Sequence, residues 1–382
     1  MKVCAIICEY NPFHFGHEYM ISQLKKMGYS IVCIMSGNFT QRGIPAVVSK
    51  YSRAEMAIKG GADLVLELPF PYSSCNADLF CSAGVHIADK LGFVDTLAFG
   101  SESGDIKMLR KTAEYYLSDE YRIIQDDILS KGGTRLSSVY GSDEFGSNDI
   151  LGIGYIKAVL ETKSRIEPIA IKRIGLNSND VSGEGFKSSK SIRNSINDCI
   201  TNAKESVPDY VFSILNREYS VGAYSIEDKL FFTFQSILRM KKAEDISGCV
   251  ELNDELANRI ISSVNKSVCF KELIEDIRTK IYSESKVMRA LLMASLGVIK
   301  EEISYPCYTV LLGANENGRS LLKQFKKEIN IPVITKQADY TEFGSKVASE
   351  FELLKRADSI WNLSLKDTKE SGAEMKKTPF IG

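Results

Sequence analysis

Six apolar residues, Val3-Cys4-Ala5-Ile6-Ile7-Cys8, run directly into Glu9-Tyr10-Asn11-Pro12-Phe13-His14-Phe15-Gly16-His17, and this junction constrains the fold more than any other stretch. An unbroken apolar run of this length reads as a strand buried on both faces of a parallel sheet. A turn containing Pro12, then Gly16 opening a helix, leaves helix N-terminal amides pointing at an anion, with room for its approach. The chain has three histidines in 382 residues, and two of them, His14 and His17, stand in this turn. Imidazoles placed there can donate hydrogen bonds to phosphate oxygens as charge builds in a transition state. The pattern points to a nucleotide. Two blander alternatives are half of a metal site and a loop with unrelated histidines. Cys4 and Cys8 fall inside the strand, where a free cysteine behaves as a small hydrophobe. No further ligands follow at zinc-like spacing, so no metal site is assigned.

Alternation of strand and helix continues through the first half of the chain. A helix over His17–Met27 ends at Gly28, a strand covers Ser30–Met35, and a helix over Ser52–Lys59 is closed by Gly60-Gly61. Leu64–Leu68 is a third strand stopped by Pro69 and Pro71, Asn76–Leu91 a helix, and Thr96–Phe99 a fourth strand. A helix over Asp149–Leu160 and a strand over Glu167–Lys172 extend the series. Such units imply a mostly parallel sheet with right-handed crossovers, and ligands beyond the carboxyl ends of its strands.

Past Pro208 the periodicity becomes helical, over Ile226–Met240, Glu255–Val264, Phe270–Tyr282 and Ser285–Leu296. Tyr308–Leu312, Gly318–Lys327 and Ile331–Thr335 suggest one small strand–helix–strand insertion, and a last helix covers Phe343–Ala357. The polar tail from Lys366 is expected to fray. The fold class is therefore α/β over residues 1–205, followed by a mainly α-helical domain over 222–382.

Charge is balanced, with 48 Lys+Arg against 49 Asp+Glu overall and 26 against 26 from residue 201 to 382. Composition thus announces no nucleic-acid partner, and any RNA contact has to come from a local patch. No apolar run approaches a membrane span, and the N-terminus lacks a basic region followed by a cleavable apolar stretch. Nine cysteines without regular spacing read as reduced thiols, so a cytoplasmic protein with no membrane partner is expected.

A second phosphate-type signal lies at Lys187-Ser188-Ser189-Lys190-Ser191-Ile192-Arg193. Ser188 and Ser189, leading a helix, cap its free amides and offer hydroxyls, while Lys190 and Arg193 supply charge for a pyrophosphate. Alone, such a cluster is an ordinary helix cap. Paired with the histidine turn in one α/β domain, it favours a nucleotide site.

The pairing of His-x-Gly-His after the first strand with a late Ser-Ser-x-Ser-Ile-Arg segment resembles the nucleotidylyltransferase superfamily, whose catalytic domain is Rossmann-like. Four longer stretches resemble one family within it, tRNA(Met) cytidine acetate ligase. They are Glu9–His14, Met35-Ser36-Gly37-Asn38-Phe39-Thr40-Gln41-Arg42-Gly43, Gly61-Ala62-Asp63-Leu64-Val65-Leu66-Glu67-Leu68-Pro69, and Ser147-Asn148-Asp149-Ile150-Leu151-Gly152. The similarity continues through Lys280–Gly297, Leu311–Lys336 and Ala357–Leu363.

The resemblance implies ATP and acetate as substrates, an acetyl–AMP anhydride as intermediate, and acetyl transfer to the wobble cytidine of elongator tRNA(Met), giving N(4)-acetylcytidine. Mg2+ is expected with ATP, held mainly by phosphates and water. By the same resemblance the ATP site comprises Ile7, Cys8, Glu9, Tyr10, Asn11, Pro12, Phe13, His14, Phe15, Gly16, His17, Glu18, Tyr19 and Met20, then Gly100, Asn148 and Arg173. Ser188 and Ser189 join it as phosphate ligands. His17, and secondarily His14, would stabilise charge at the α-phosphate as carboxylate attacks. Gly100 would let a base or ribose approach a strand end, Asn148 would offer donor and acceptor, and Arg173 a forked contact to phosphate.

Arg42 and Lys50 are candidates for holding acetate or polyphosphate, and Asp63 for organising neighbouring loops. Lys280, Lys286 and Arg289, with Tyr282 as a stacking group, form a candidate RNA face on the helical domain. Departures from the family pattern are Ile44, where an acidic residue is common, Asn177-Ser178-Asn179-Asp180 in place of a tyrosine–histidine segment, and Lys190 at a variable place within the serine motif. The alternatives are a small-molecule adenylyltransferase, sharing both phosphate signals, and a non-catalytic nucleotide-binding RNA adaptor.

Overall fold

The computed structural model describes residues 2–130, 145–174 and 186–382, so Asn177–Asp180 lie outside the described residues. Five strands come from the first half of the chain: β1 (Lys2–Cys8), β2 (Tyr29–Ser36), β3 (Leu64–Leu68), β4 (Thr96–Ser101) and β5 (Glu167–Lys172). They run parallel in the order β5-β4-β1-β2-β3. β1 pairs with β2 from Lys2↔Tyr29 to Cys8↔Met35. Its side chains alternate between two apolar layers: Cys4 and Ile6 join one, Val3, Ala5 and Ile7 the other. Burial on both faces is why β1 reads as an unbroken apolar run.

Helices α1 (Phe15–Lys26) and α2 (Lys50–Lys59) cover the first layer, through Ile21, Leu24, Ala54 and Ala57. Helices α3 (Ala77–Lys90), α4 (Ile106–Tyr116) and α6 (Ser147–Thr162) cover the second, through Phe80, Ile87, Leu109, Ile153 and Ile156. Between them, α5 (Asp119–Ser130) follows α4. Each fully buried aliphatic or aromatic side chain of this kind contributes roughly 1.5–3 kcal/mol.

The second half supplies α7 (Ser189–Asp198), α8 (Asp209–Ser220), α9 (Leu230–Leu238), α10 (Asp254–Lys266), α11 (Phe270–Ile277), α12 (Glu284–Leu296), α13 (Glu316–Gln324) and α14 (Ser345–Ser364). Their apolar faces, among them Val211, Phe234, Leu256, Leu291 and Trp361, belong to the same cluster as Ile21 and Ala57. The helical segment therefore shares a core with one face of the sheet.

Two expectations are corrected here. The segment near 308–335 is not an insertion of its own: β6 (Thr309–Ala314), buried at every residue, pairs antiparallel with β3 and extends the sheet. β7 (Val333–Ile334) and β8 (Phe380–Ile381) then pair parallel with β6. Without β6, the wholly buried edge of β3 would be open to unwanted pairing. Nor does the tail fray. Glu374 is 1 % exposed and accepts from Asn38 Nδ2 at 3.0 Å and Ser49 Oγ at 2.8 Å, tying the tail to the loop after β2.

Candidate active site

β4 and β2 flank β1 on opposite sides, so the chain connections diverge at β1 and leave a crevice beyond its carboxyl end. A cavity of about 420 Å³ opens there. Its walls come from the ends of β1, β4 and β5, the first turn of α1, the start of α6, and Gln41 and Arg42 of the loop after β2.

The turn after β1 is held in an uncommon conformation. Tyr10 has φ 50°, left-handed for a residue with a side chain, at a cost of roughly 1–2 kcal/mol. Neighbouring elements fix it. The buried Arg53 guanidinium donates to the carbonyls of Glu9 at 2.6 Å and Ser36 at 3.1 Å, and to that of Gly37. Asn11 Oδ1 accepts from the Val47 amide at 2.8 Å, and the Tyr10 hydroxyl lies 3.4 Å from Cys33 Sγ. The Asn11–Pro12 peptide is cis.

Helix α1 begins at Phe15 rather than at His17 because His14 caps it. His14 Nδ1 accepts from the Gly16 amide at 3.0 Å, and His17 Nδ1 accepts from the His14 amide at 3.2 Å. This is a capping box in which two imidazoles replace the usual hydroxyl and carboxylate. The rings stack with centroids 3.7 Å apart. A Cβ on residue 16 would meet His14 Cε1 at 3.0 Å, so the glycine makes room for the capping ring.

Because each Nδ1 accepts a backbone N–H, each ring carries its proton on Nε2. Both rings line the cavity, and among the described residues neither Nε2 has a hydrogen-bond partner. Burial and the nearby Arg173 push His14 down to about 3, and burial, His14 and Arg173 hold His17 well below the usual imidazole range. The cavity is thus furnished with two neutral N–H donors at a helix N-terminus.

Opposite them, Arg173 Nη1 donates to Asn148 Oδ1 at 3.2 Å. The Asn148 side chain is set in turn by Glu102, which accepts from its Nδ2 at 2.5 Å, from its amide at 3.2 Å and from the Asp149 amide at 2.9 Å. The N-cap residue of α6, Gly146, has no side chain to cap with, so the Glu102 carboxylate serves the first-turn amides from outside the helix, and it is not among the candidates read from the sequence. A carboxylate one residue past a strand end carries no local signal for a helix 45 positions later. The apolar walls Phe80, Phe99, Tyr155 and Ile171 were missed for the same reason: they look like core residues and also border the cavity.

Of the expected site residues, Ile7, Cys8, Glu9, Tyr10, His14, Gly16, His17, Tyr19, Met20, Gly100, Asn148, Arg173 and Ser189 line the cavity. Asn11, Pro12, Phe13, Phe15, Glu18 and Ser188 stand behind its wall. Phe13 is buried against Tyr10 and His17, and Phe15 packs on Phe186. Glu18 accepts from the Tyr210 hydroxyl at 2.9 Å, and Ser188 caps α7 through the Ser191 amide. The Pro12 carbonyl accepts from Ser189 Oγ at 3.4 Å, joining the two phosphate-type segments. Arg193 donates to the Asn11 carbonyl at 2.7 Å and braces the turn from behind, and the exposed Lys190 is not among the cavity walls.

Three further candidates resolve differently. Arg42 is exposed and lines the cavity wall. Lys50 is instead wholly buried between Glu67 at 2.9 Å and Asp358 at 2.8 Å, and takes no part in the cavity. Burial pulls its pKa down, but those two carboxylates outweigh it and hold the ammonium charged. Asp63 does organise its neighbours, accepting from Lys25, from the Ile31 amide and from Asn315.

On the helical segment, Tyr282 is 5 % exposed, too buried to stack on a base. Lys286 and Arg289 both pair with Glu251, at 2.9 and 3.3 Å. Arg289 also lies against Gly43, where a Cβ would come within 2.6 Å of its amide, so α12 backs the loop that carries Gln41 and Arg42.

Among the described residues, no group of three His, Cys, Asp or Glu is placed to hold a metal ion, and no helix is long and apolar enough to cross a membrane.

The HIGH Nucleotidyl Transferase family matches residues 1–376. The chain is 35% identical over 370 residues to the tRNA(Met) cytidine acetate ligase of Fervidobacterium nodosum, covering 89% of this chain and 85% of that one. It is likewise 35% identical over 373 residues to the tRNA(Met) cytidine acetate ligase of Acetivibrio thermocellus, covering 89% of each. A crystal structure of Thermotoga maritima TmcAL bound with alpha-thio ATP superposes with a TM-score of 0.90 at 28% identity, covering 100% of this chain and 99% of that one. Fold, cavity and relatives agree: the chain belongs to the tRNA(Met) cytidine acetate ligase family of HIGH nucleotidyl transferases.

Proposed function

We propose that this chain activates acetate with ATP as acetyl-adenylate and transfers the acetyl group to the wobble cytidine of elongator tRNA(Met), forming N(4)-acetylcytidine. The observation that carries the reading is the pair of neutral imidazoles of His14 and His17, each with Nδ1 occupied by a backbone amide, lining a cavity that Arg173 also lines. Both relatives above are named for this ligase activity, and the matching TmcAL structure holds an ATP analogue.

The chemistry follows from these groups. Acetate is a poor acyl donor, so its carboxylate first attacks the α-phosphorus of ATP and pyrophosphate leaves. Charge then grows on the non-bridging α-phosphate oxygens, where two fixed N–H donors and a guanidinium stabilise it without reorganisation. Neutral imidazoles suit this task, because their protons are shared with the phosphate and not given up to it. In the second step the cytidine amine attacks the acyl carbon and AMP leaves. Holding amine and anhydride together supplies much of the rate, since the amine lone pair is delocalised into the ring.

One carboxylate among the described cavity walls, and no acidic cluster, does not make a cage for Mg2+. Magnesium would enter as part of the MgATP substrate, carried by phosphates and water. We assign residues 1–205 to catalysis, with β6 to β8 of the 222–382 segment completing its sheet, and the remaining helices to tRNA. Nine unpaired cysteines fit a cytoplasmic setting.

The test is transfer of labelled acetate to purified elongator tRNA(Met) with MgATP. Label recovered as N(4)-acetylcytidine at the wobble position supports the ligase. Pyrophosphate exchange that depends on a nucleotide-like phosphate and ignores acetate would instead indicate a small-molecule adenylyltransferase. No exchange and no transfer would indicate a binding protein.

A further inference from the structure

Among the described residues, Glu9 is the one acidic side chain lining the cavity. It stands just past the carboxyl end of β1, and its Oε1 accepts from the Gln41 amide at 2.7 Å. Its Oε2 has no hydrogen-bond or ion-pair partner among the described residues. A carboxylate opposes a triphosphate by simple Coulomb repulsion, so binding ATP does not explain it.

The other groups in the cavity that exchange protons are committed. His14 and His17 present N–H at Nε2 and use Nδ1 to cap α1. Burial holds the Cys8 thiol and the Tyr10 and Tyr155 phenols protonated. The remaining polar walls are cations, amides and hydroxyls, which donate. The Glu9 carboxylate is the one group left among these walls to accept a proton.

The acyl-transfer step needs such an acceptor. When the cytidine amine adds to the acyl carbon, its nitrogen carries one proton more than the product amide can keep. Resting on the function proposed above, we propose that Glu9 is the general base of acetyl transfer. The nitrogen lone pair forms the C–N bond, Glu9 Oε2 takes one amine proton, and the C–O bond to the phosphate breaks with its electron pair leaving on AMP. The carboxyl then returns its proton to water.

The test separates the two half-reactions in Glu9→Gln, whose amide oxygen still accepts the Gln41 N–H. Acetate-dependent ATP–pyrophosphate exchange reports activation, and single-turnover transfer from synthetic acetyl-adenylate to tRNA transcript reports the second step. Transfer is expected to fall by about 10²–10⁴-fold and exchange by much less. Glu9→Asp, which keeps a carboxylate on a shorter side chain, should transfer at a rate between wild type and Glu9→Gln. Parallel loss of exchange and transfer would make Glu9 a ligand of the nucleotide or its magnesium and overturn the assignment. Transfer at the wild-type rate would overturn it too. If wild-type protein transfers nothing from acetyl-adenylate, the proposed function falls first and this role with it.

Discussion

The imidazoles of His14 and His17 lie face to face, ring centroids 3.7 Å apart, each with Nδ1 bound to a backbone amide of the same helical turn. One interaction caps the helix and fixes the tautomer together. The two roles can be separated by substitution, because an asparagine caps as well as any residue and a glutamine serves the third helical position of a capping box.

His14→Asn and His17→Gln should therefore fold with a stability change within about 1 kcal/mol. Acetyl-adenylate formation should drop by about 10²–10³-fold in each. Paired denaturation curves and pyrophosphate exchange check this. A loss of activity matched by a loss of folded protein would return the histidines to a purely structural role.

The depressed pKa of His14 makes a prediction about acid stability. Between pH 6.5 and about 3 the unfolded chain holds a proton on this residue that the folded chain does not. Unfolding free energy should fall with pH across that window, by about 1.4 kcal/mol per unit from this one group. His14→Asn lacks the group, so its stability should fall less steeply from pH 6 to pH 4 in urea titrations. Equal slopes would mean that His14 titrates normally in the fold.

Lys50 is a test of the opposite kind. Removing its ammonium leaves the buried Glu67 and Asp358 carboxylates without the cation that both of them pair with. Lys50→Met should cost about 3–5 kcal/mol. The KM for ATP of whatever protein folds should stay near wild type, and a large rise in KM would put Lys50 back among the substrate ligands.

Glu102 acts on the cavity through Asn148. Glu102→Ala frees the Asn148 amide and uncaps α6. The KM for ATP should rise roughly tenfold, the equivalent of 1.4 kcal/mol, with a smaller change in kcat. Steady-state kinetics read the split. A fall in kcat alone would argue against a positioning role.

The sequence by itself determined the sheet and the centre of the site. Val3–Cys8 could only be a buried strand, Leu64–Leu68 and Glu167–Lys172 are strands over the residues expected, and His14 and His17 were marked by a glycine turn. These signals are local, because strand burial, helix capping and turns are written within a few residues of one another. Tertiary structure alone decided the rest. That Lys50 is a core cation, that Tyr282 is buried, that β6 closes the edge of β3, and that Glu102 sets Asn148 all depend on partners tens to hundreds of positions away. A lysine beside a loop reads the same in sequence whether it meets a phosphate or two buried carboxylates, and only the fold chooses which charge it faces.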